Sequence, residues 1–126
     1  MTRNNGQPSK PRVLVVDDER VIADTLATIL NQNGFEASAA YTGAEAVVRA
    51  RASRPDLVIS DVIMQDMNGI EAAIRIRQSL PGCKILLFSG QAATADLLEK
   101  ARAQGHEFEI LAKPVHPQDL LAKLRT

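Results

Sequence analysis

The sequence predicts an α/β fold, a doubly wound parallel sheet of five strands with the connectivity (βα)5 and helices on both faces. Short apolar runs recur along the chain at spacings too wide for hairpins. Segments with apolar residues at helical spacing lie between these runs, and they are bounded by capping and terminating residues. Since right-handed crossovers place each helix on one side of a parallel sheet or the other, this alternation indicates a sheet covered on both faces.

The predicted strands are short and mostly apolar. Four of them have the composition of buried parallel strands, and the other, rich in Ala, comes second in chain order. In chain order, the five segments are residues 13–16, 37–41, 57–60, 85–88 and 108–112.

The first two predicted helices follow the first two strands. Apolar residues at helical spacing define the first helix, and Gly34 is its natural terminator. These apolar residues are Ile22, Leu26, Ile29 and Leu30. Thr42 with Glu45 forms a capping box that starts the second helix, which must end before Pro55.

The remaining three helices have comparable signals. Asn68 with Glu71 starts the third helix, which stops near Pro81. A fourth helical pattern ends at Gly105, and a fifth begins near Pro117. Leu97, Leu98 and Ala101 define the fourth, and Leu120, Leu121 and Leu124 share one face of the fifth.

Length and composition indicate one ordinary domain. The chain has 126 residues, of which 45% are hydrophobic and 24% charged, and it contains no apolar run near the ~20 residues that cross a bilayer. Lys plus Arg and Asp plus Glu number 15 each, so no global field favours nucleic acid. We therefore expect a cytoplasmic protein with no membrane insertion and no direct nucleic-acid contact.

Two further features lie outside the predicted site. Residues 1–10 are polar and offer no apolar face to bury, so we expect a flexible N-terminal tail before a folded unit at 11–126. Cys83 is the single cysteine and cannot form an intramolecular disulfide. Its position beside an apolar run predicts a buried, inert thiol.

Polar residues follow four of the predicted strands. Asp17 and Asp18 come directly after the first, Asp61 after the third, Ser89 after the fourth and Lys113 after the fifth. Taken singly, each is typical of a helix cap, a turn or a solvated side chain. The carboxyl ends of parallel strands form the ligand crevice of such a sheet, so the combination predicts a functional site at one rim.

Three carboxylates on one rim repel one another unless a cation neutralises them. Oxygen ligands without histidine or thiolate suit a hard divalent ion, Mg²⁺ before Ca²⁺ or Mn²⁺. Lys113 adds a fixed positive charge and Ser89 a hydroxyl donor, and both are suited to an anion. Together these groups predict phosphoryl chemistry in which one aspartate is the acceptor nucleophile.

The motifs VLVVDDE, LVISDVIM followed by Asn68-Gly69, FSG and LAKP resemble those of the response-regulator receiver family. The resemblance spans about residues 12–124, and its four motifs fall in order on the predicted strands. It implies a flavodoxin-like fold with strand order 2-1-3-4-5. It also implies a switch, not an enzyme acting on an external substrate, that is phosphorylated by a sensor histidine kinase or a histidine phosphotransfer protein and signals to a downstream protein.

Carried over by position, the resemblance assigns roles to the acidic residues. Asp61 is the expected phosphoacceptor. Asp18, Asp61 and the backbone carbonyl of Ile63 are expected to contact Mg²⁺, and Asp17 to assist through water. The resemblance leaves open whether the chain is a stand-alone regulator, an excised domain or a relay component.

The resemblance also assigns Lys113 to the carboxylate and then the phosphoryl oxygens, and Ser89 to the phosphate. Two positions depart from the family pattern. Gln65 stands where the family usually has proline, which predicts a less rigid loop. Ile110 stands where many members carry an aromatic switch residue; Phe108, on the same side of the strand, is expected to be core instead of a substitute.

Three alternatives share parts of this pattern. A flavin-binding flavodoxin would need a phosphate-cradling loop where this chain has carboxylates. An aspartate-nucleophile phosphatase would usually have two aspartates separated by one residue, whereas Asp17 and Asp18 are adjacent. A receiver-like module that is never phosphorylated is disfavoured by the complete acidic, hydroxyl and lysine set.

Overall fold

The computed structural model describes residues 10–90, 94–113 and 116–124 of the chain. Within them, strands and helices alternate as five βα units, which confirms the predicted connectivity. The elements are β1 (Arg12–Val16), α1 (Arg20–Asn31), β2 (Glu36–Ala40), α2 (Gly43–Ser53), β3 (Leu57–Asp61), α3 (Gly69–Ser79), β4 (Lys84–Ser89), α4 (Thr94–Ala103), β5 (Glu109–Ala112) and α5 (Pro117–Leu124). Most of the predicted tail, residues 1–9, and Pro114 of the LAKP motif lie outside the described residues.

The five strands form one parallel sheet in the order β2-β1-β3-β4-β5, as the resemblance implied. In register, Val15 pairs with both Ala39 and Ile59. The predicted ends of β3 and β4 were one residue short. Asp61 and Ser89 are the last residues of these strands because they still pair, with Phe88 and Ala112 respectively.

The sheet is covered by helices on both faces, as predicted, and alternate strand residues supply the two hydrophobic clusters. One cluster joins β1 to α1 and α5, and its members include Val13, Val15, Leu26, Leu30 and Leu120. The other joins β1 and β3 to α2, α3 and α4, and its members include Leu14, Val58, Val47, Ile76 and Ala101. Burying each large aliphatic side chain contributes about 2 kcal/mol, so the sheet is a rigid platform for its rim.

The predicted N-caps of α2 and α3 are present. The Thr42 side chain accepts a hydrogen bond from the Glu45 N–H at 2.9 Å, and the Asn68 side chain accepts one from the Glu71 N–H at 2.8 Å. The reciprocal bonds differ from the expected capping boxes. Glu45 accepts from the N–H of Tyr41 at 2.6 Å, one residue before the cap, while Glu71 pairs with an arginine one turn further along α3.

Chain reversals after three helices use the left-handed region of backbone conformation. Gly34 and Gly105, the predicted terminators, both have φ of 92°, which glycine adopts without steric cost. Arg54, the C-cap of α2, has φ of 51° and donates its N–H to the Ala50 carbonyl. No sequence signal marked Arg54, because left-handed conformation is uncommon for residues other than glycine.

Two expectations from composition can be compared with the structure. Cys83 is buried as predicted, and burial raises the pKa of its thiol to about 11, so the protonated form predominates at neutral pH. Across the described ranges, no helix has both the length and the apolarity that a bilayer crossing requires.

Candidate functional site

The carboxyl ends of β1 and β3 bring the predicted acidic residues together. Asp17 extends the pairing of β1, since its N–H donates to the Ala40 carbonyl at 3.2 Å, and its side chain is completely buried. Asp18 is half-buried at the rim, and Asp61 is buried at the end of β3. One carboxylate oxygen from each of Asp17, Asp18 and Asp61 can be chosen so that all three lie within 4.8 Å of one another.

Asp17 is held in an unfavourable environment for a carboxylate. Its Oδ1 accepts a hydrogen bond from the Glu19 N–H at 2.9 Å, but its buried Oδ2 has no hydrogen-bond partner among the described residues. Burial, assisted by the nearby charge of Asp61, raises the pKa of Asp17 to about 6, although the Glu19 hydrogen bond opposes the shift. A buried acceptor without a partner is costly, and a bound cation would remove that cost.

Lys113 follows β5 and reaches across the rim to the acidic cluster. Its Nζ lies 3.2 Å from Asp61 Oδ1 and 5.3 Å from the centre of the Phe88 ring. The backbone positions its stem, because the Lys113 N–H donates to the Ser89 carbonyl at 3.2 Å. A Cβ atom on Gly90 would lie only 3.3 Å from the Lys113 Cβ, so a residue without a side chain suits this position. The predicted lysine–aspartate pairing is therefore present.

Ser89 ends β4 between β3 and β5 and is buried at the same rim. Its register partner, Ala112, immediately precedes Lys113. The structure thus places at one rim the five residues that the sequence selected: Asp17, Asp18, Asp61, Ser89 and Lys113.

The segment after β3 closes tightly against Asp61. The Gly69 N–H donates to the Val62 carbonyl at 2.7 Å, and a Cβ atom on Gly69 would overlap the Asp61 carbonyl. Only glycine fits such an approach of two backbones. Sequence reasoning quoted Gly69 as part of a motif but missed this contact. Ile63 lies on this segment, and 42% of its surface is exposed.

Ile110, which occupies the position of the usual aromatic residue, and Phe108, just before β5, pack on the same side of the sheet, as the strand period predicted. Phe108 and Ile110 both contact the cluster between the sheet and helices α2 to α4. The guanidinium of Arg77 lies 4.2 Å from the centre of the Phe108 ring. Phe108 therefore has a packing role at the margin of the core.

The arrangement of these charged groups indicates which chemistry the site can support. Three converging carboxylates with only oxygen donors suit a hard divalent cation, and the orphaned Asp17 oxygen fits such a ligand. Lys113 keeps one fixed positive charge beside Asp61. A cation and an ammonium on either side of a carboxylate nucleophile are the groups that stabilise a transferring phosphoryl group.

The comparison with curated proteins gives regulatory proteins as relatives. The chain is 34% identical over 125 residues to the probable transcriptional regulatory protein TcrX of Mycobacterium tuberculosis, covering 99% of this chain and 52% of that protein. It is 30% identical over 116 residues to the DNA-binding response regulator MtrA of the same organism, covering 92% of this chain and 50% of that protein. The chain therefore spans about half the length of these relatives.

Solved structures agree with the observed topology. A CheY-like receiver domain protein from Methanospirillum hungatei superposes with a TM-score of 0.83 at 29% identity, covering 93% of this chain and 92% of that one. The chemotaxis protein CheY4 of Vibrio cholerae gives a TM-score of 0.79 at 31% identity, covering 93% and 98%. These similarities confirm the flavodoxin-like fold.

A family model, that of the response regulator receiver domain, matches residues 13–125. This match covers all four sequence motifs and, apart from Arg12, every strand and helix of the described residues. It also decides against the flavodoxin and phosphatase alternatives, which belong to other families. The chain belongs to the receiver-domain family of two-component response regulators.

Proposed function

We propose that this receiver accepts a phosphoryl group on Asp61, with Mg²⁺, and changes conformation to signal to a downstream protein. The donor is a phosphohistidine of a sensor histidine kinase or of a histidine phosphotransfer protein. The receiver unit is residues 11–126, and it acts in the cytoplasm.

One observation carries the proposal: Asp61 lies buried between two other carboxylates and the ammonium of Lys113. A structural aspartate in a salt bridge would not require the company of Asp17, which burial penalises and which leaves an oxygen without a partner. The cluster is destabilising for the metal-free fold. Such an arrangement is typical of a functional site.

Asp18, Asp61 and the carbonyl of Ile63 would hold the Mg²⁺, with Asp17 acting through water. When bound, the ion supplies positive charge that offsets the carboxylates and the phosphoryl oxygens. The expected metal contact of Ile63 uses its backbone carbonyl, so a substitution such as Ile63→Asn changes the side chain and keeps that ligand.

The chain's own residues perform the transfer. A carboxylate oxygen of Asp61 attacks phosphorus; an O–P bond forms while the N–P bond to the donor histidine breaks, and its electron pair stays on the imidazole nitrogen. Lys113 exchanges its contact with Asp61 for one with a phosphoryl oxygen, since both acceptors are anionic. The Ser89 hydroxyl donates to a second phosphoryl oxygen. These new contacts at the ends of β4 and β5 bias the rim toward a second conformation.

The proposal assigns no nucleic-acid contact to this chain. The name of MtrA describes that protein as DNA-binding, and that protein is about twice as long as the aligned region. Basic and acidic residues are balanced in the chain, at 15 each, so the proposed output is a protein contact.

Phosphorylation with Mg²⁺ and a small phosphodonor, followed by intact mass measurement, tests the acceptor. Wild type is expected to gain the mass of one phosphoryl group and Asp61→Asn to gain none. Asp56→Asn is the matched control, because Asp56 is an exposed aspartate at the opposite end of the same sheet. A full adduct on Asp61→Asn would overturn the assignment, and an unmodified wild type would support a module that is never phosphorylated.

A further inference from the structure

The segment from Val62 to Asn68, between β3 and α3, must place the Ile63 carbonyl that the proposed metal site uses. It contains no proline, so no ring fixes any φ angle within it. Its base is closed by the hydrogen bond from the Gly69 N–H to the Val62 carbonyl. Fixing the rest of the segment needs a contact further out, near its tip.

Asp66 supplies this contact by joining the segment to the start of α2. Its Oδ1 accepts from the Gly43 N–H at 3.0 Å, and its Oδ2 accepts from the Ala44 N–H at 2.9 Å. These N–H groups lie in the first turn of a helix, where no intrahelical acceptor exists. Both bonds are charge-assisted, and the helix dipole favours a negative charge at this end.

The ionisation of Asp66 agrees with this geometry. Burial acts to raise the pKa of the Asp66 carboxyl, but hydrogen bonds from the backbone of Gly43, Ala44 and its own segment outweigh burial and lower the pKa. The carboxylate is therefore charged at neutral pH, as two charge-assisted bonds require.

Shape complementarity reinforces the polar contact. A Cβ atom on Gly43 would overlap the Cγ of Met67, so the missing side chain of Gly43 lets Met67 approach α2. Met67 also packs against the hydrophobic cluster that contains the α2 residues Ala46, Val47 and Ala50. The partner of Asp66 is thus a helix whose inner face is buried, and the anchor is rigid.

We infer that Asp66 is a positioning residue for the cation site, because its bonds to α2 fix the segment that presents the Ile63 carbonyl. This inference rests on the proposed function. Releasing Asp66 lets the carbonyl occupy many positions, so binding the cation must then also order the segment, and the affinity falls. The bonds span 23 and 22 residues of sequence, so the effect depends on the tertiary fold.

The test compares Asp66→Ala with Thr42→Ala. Both remove side-chain acceptors from the N-terminus of α2, and loss of a single cap costs about 1 kcal/mol of stability. Within the described ranges, the hydrogen bond of the Thr42 side chain is to Glu45 in the first turn of α2, so its loss does not release the segment after β3. Mg²⁺ affinity by titration and amide exchange of Gly69 in metal-free protein are the two readouts.

We expect Asp66→Ala to bind Mg²⁺ about tenfold more weakly than wild type and Thr42→Ala to stay within about twofold. Amide exchange at Gly69 should quicken in Asp66→Ala alone, because its acceptor, Val62, lies on the released segment. Asp66→Asn, which keeps one acceptor oxygen and a similar shape, should fall between the two in Mg²⁺ affinity. If Asp66→Ala does not fold, Asp66→Asn serves for the same test.

The outcomes separate the two proposals. Equal losses of affinity in the Asp66 and Thr42 variants would assign the effect to α2 stability and overturn the positioning role. Unchanged affinity in both Asp66 variants, with normal Mg²⁺ binding by wild type, would overturn it too while leaving the proposed function intact. Failure of wild type to bind Mg²⁺ would overturn the proposed function and, with it, the role of Asp66 toward the ion.

Discussion

Charged side chains have opposite environments at the two ends of the sheet. At the amino end, half-buried Arg12 pairs with exposed Glu36 at 3.2 Å, and the Arg12 N–H donates to exposed Asp56 at 2.8 Å. At the carboxyl end, Asp17 and Asp61 are buried, and an oxygen of Asp17 has no hydrogen-bond partner among the residues the structure describes. The first arrangement satisfies its charges without a ligand; the second does not.

This difference in charge environment indicates where on the sheet the functional site lies. Exposed ion pairs are close to neutral for stability, since water competes for both partners. A buried, unbalanced acidic cluster is costly to a metal-free fold, and the cation it attracts offsets the cost. Ligand crevices also form at the carboxyl end of a parallel sheet, so the charge imbalance and the architecture indicate the same site.

The largest effect on stability is expected from Asp17→Asn in the absence of divalent metal. Because burial raises the pKa of Asp17 from 3.8 to about 6, the folded protein holds this proton more tightly than the unfolded chain. The contribution of protonated Asp17 to the stability of the folded protein is fully present below about pH 4 and is lost as pH rises through about 6. At ~1.4 kcal/mol per pH unit, the upper bound on this loss of unfolding free energy is ~3 kcal/mol. Half-exposed Asp18 brings solvent close to Asp17 and weakens this effect. We therefore expect Asp17→Asn to raise the free energy of unfolding at neutral pH by about 2 kcal/mol.

Denaturant unfolding of wild type and Asp17→Asn with a metal chelator, at pH 4 and pH 7, measures this difference in stability. The variant should exceed wild type in stability at pH 7 and match it at pH 4. Asp56→Asn, the same substitution at the amino end, should not stabilise at either pH, because Asp56 is exposed and its carboxylate already accepts a hydrogen bond from the Arg12 N–H. An Asp17→Asn protein less stable than wild type at pH 7 would show that the cluster is not under strain.

How much the sequence predicts differs between the fold and the site. Periodicity and caps such as Thr42 are local signals, so they predicted all ten elements and two helix starts. The strand ends bearing Asp61 and Ser89 were misplaced by one residue, since pairing with a neighbouring strand extends them. Asp66 was missed because its partners lie more than twenty residues away and nothing nearby indicates them.

An intermediate effect is expected from Ile63→Asn on the lifetime of the phosphorylated state. Hydrolysis of an aspartyl phosphate needs a water in line with the leaving oxygen, and an aliphatic side chain cannot orient it. Ile63 is partly exposed two residues beyond the acceptor. Gln91, two residues beyond Ser89 in the sequence, is a second residue that we expect to flank this water, and it lies outside the described residues. We expect about tenfold faster hydrolysis for the variant, which corresponds to ~1.4 kcal/mol of barrier.

Phosphate loss after removal of the donor gives this rate. Ile63→Val is the control, because it stays aliphatic and should hydrolyse at the wild-type rate. Mg²⁺ affinity should be the same in all three proteins, since the carbonyl is retained. A phosphorylated Ile63→Asn protein that lasts as long as wild type would show that the side chain at this position does not set the lifetime.

The smallest effect is expected at the amino end, from the Arg12–Glu36 ion pair. The two side chains are 39% and 64% exposed, so their attraction is weakened by water and ions. Arg12 also donates to the Ser53 carbonyl at 2.9 Å, so Arg12→Ala alone would mix two losses, and a double-mutant cycle with Glu36→Ala is needed. We expect a coupling free energy of about 0.5 kcal/mol at low salt that vanishes near 1 M salt. A coupling well above ~1 kcal/mol would mean that charges at the amino end also carry substantial energy. The contrast between the two ends would then rest on whether each charge has a partner, and no longer on how much energy the charges contribute.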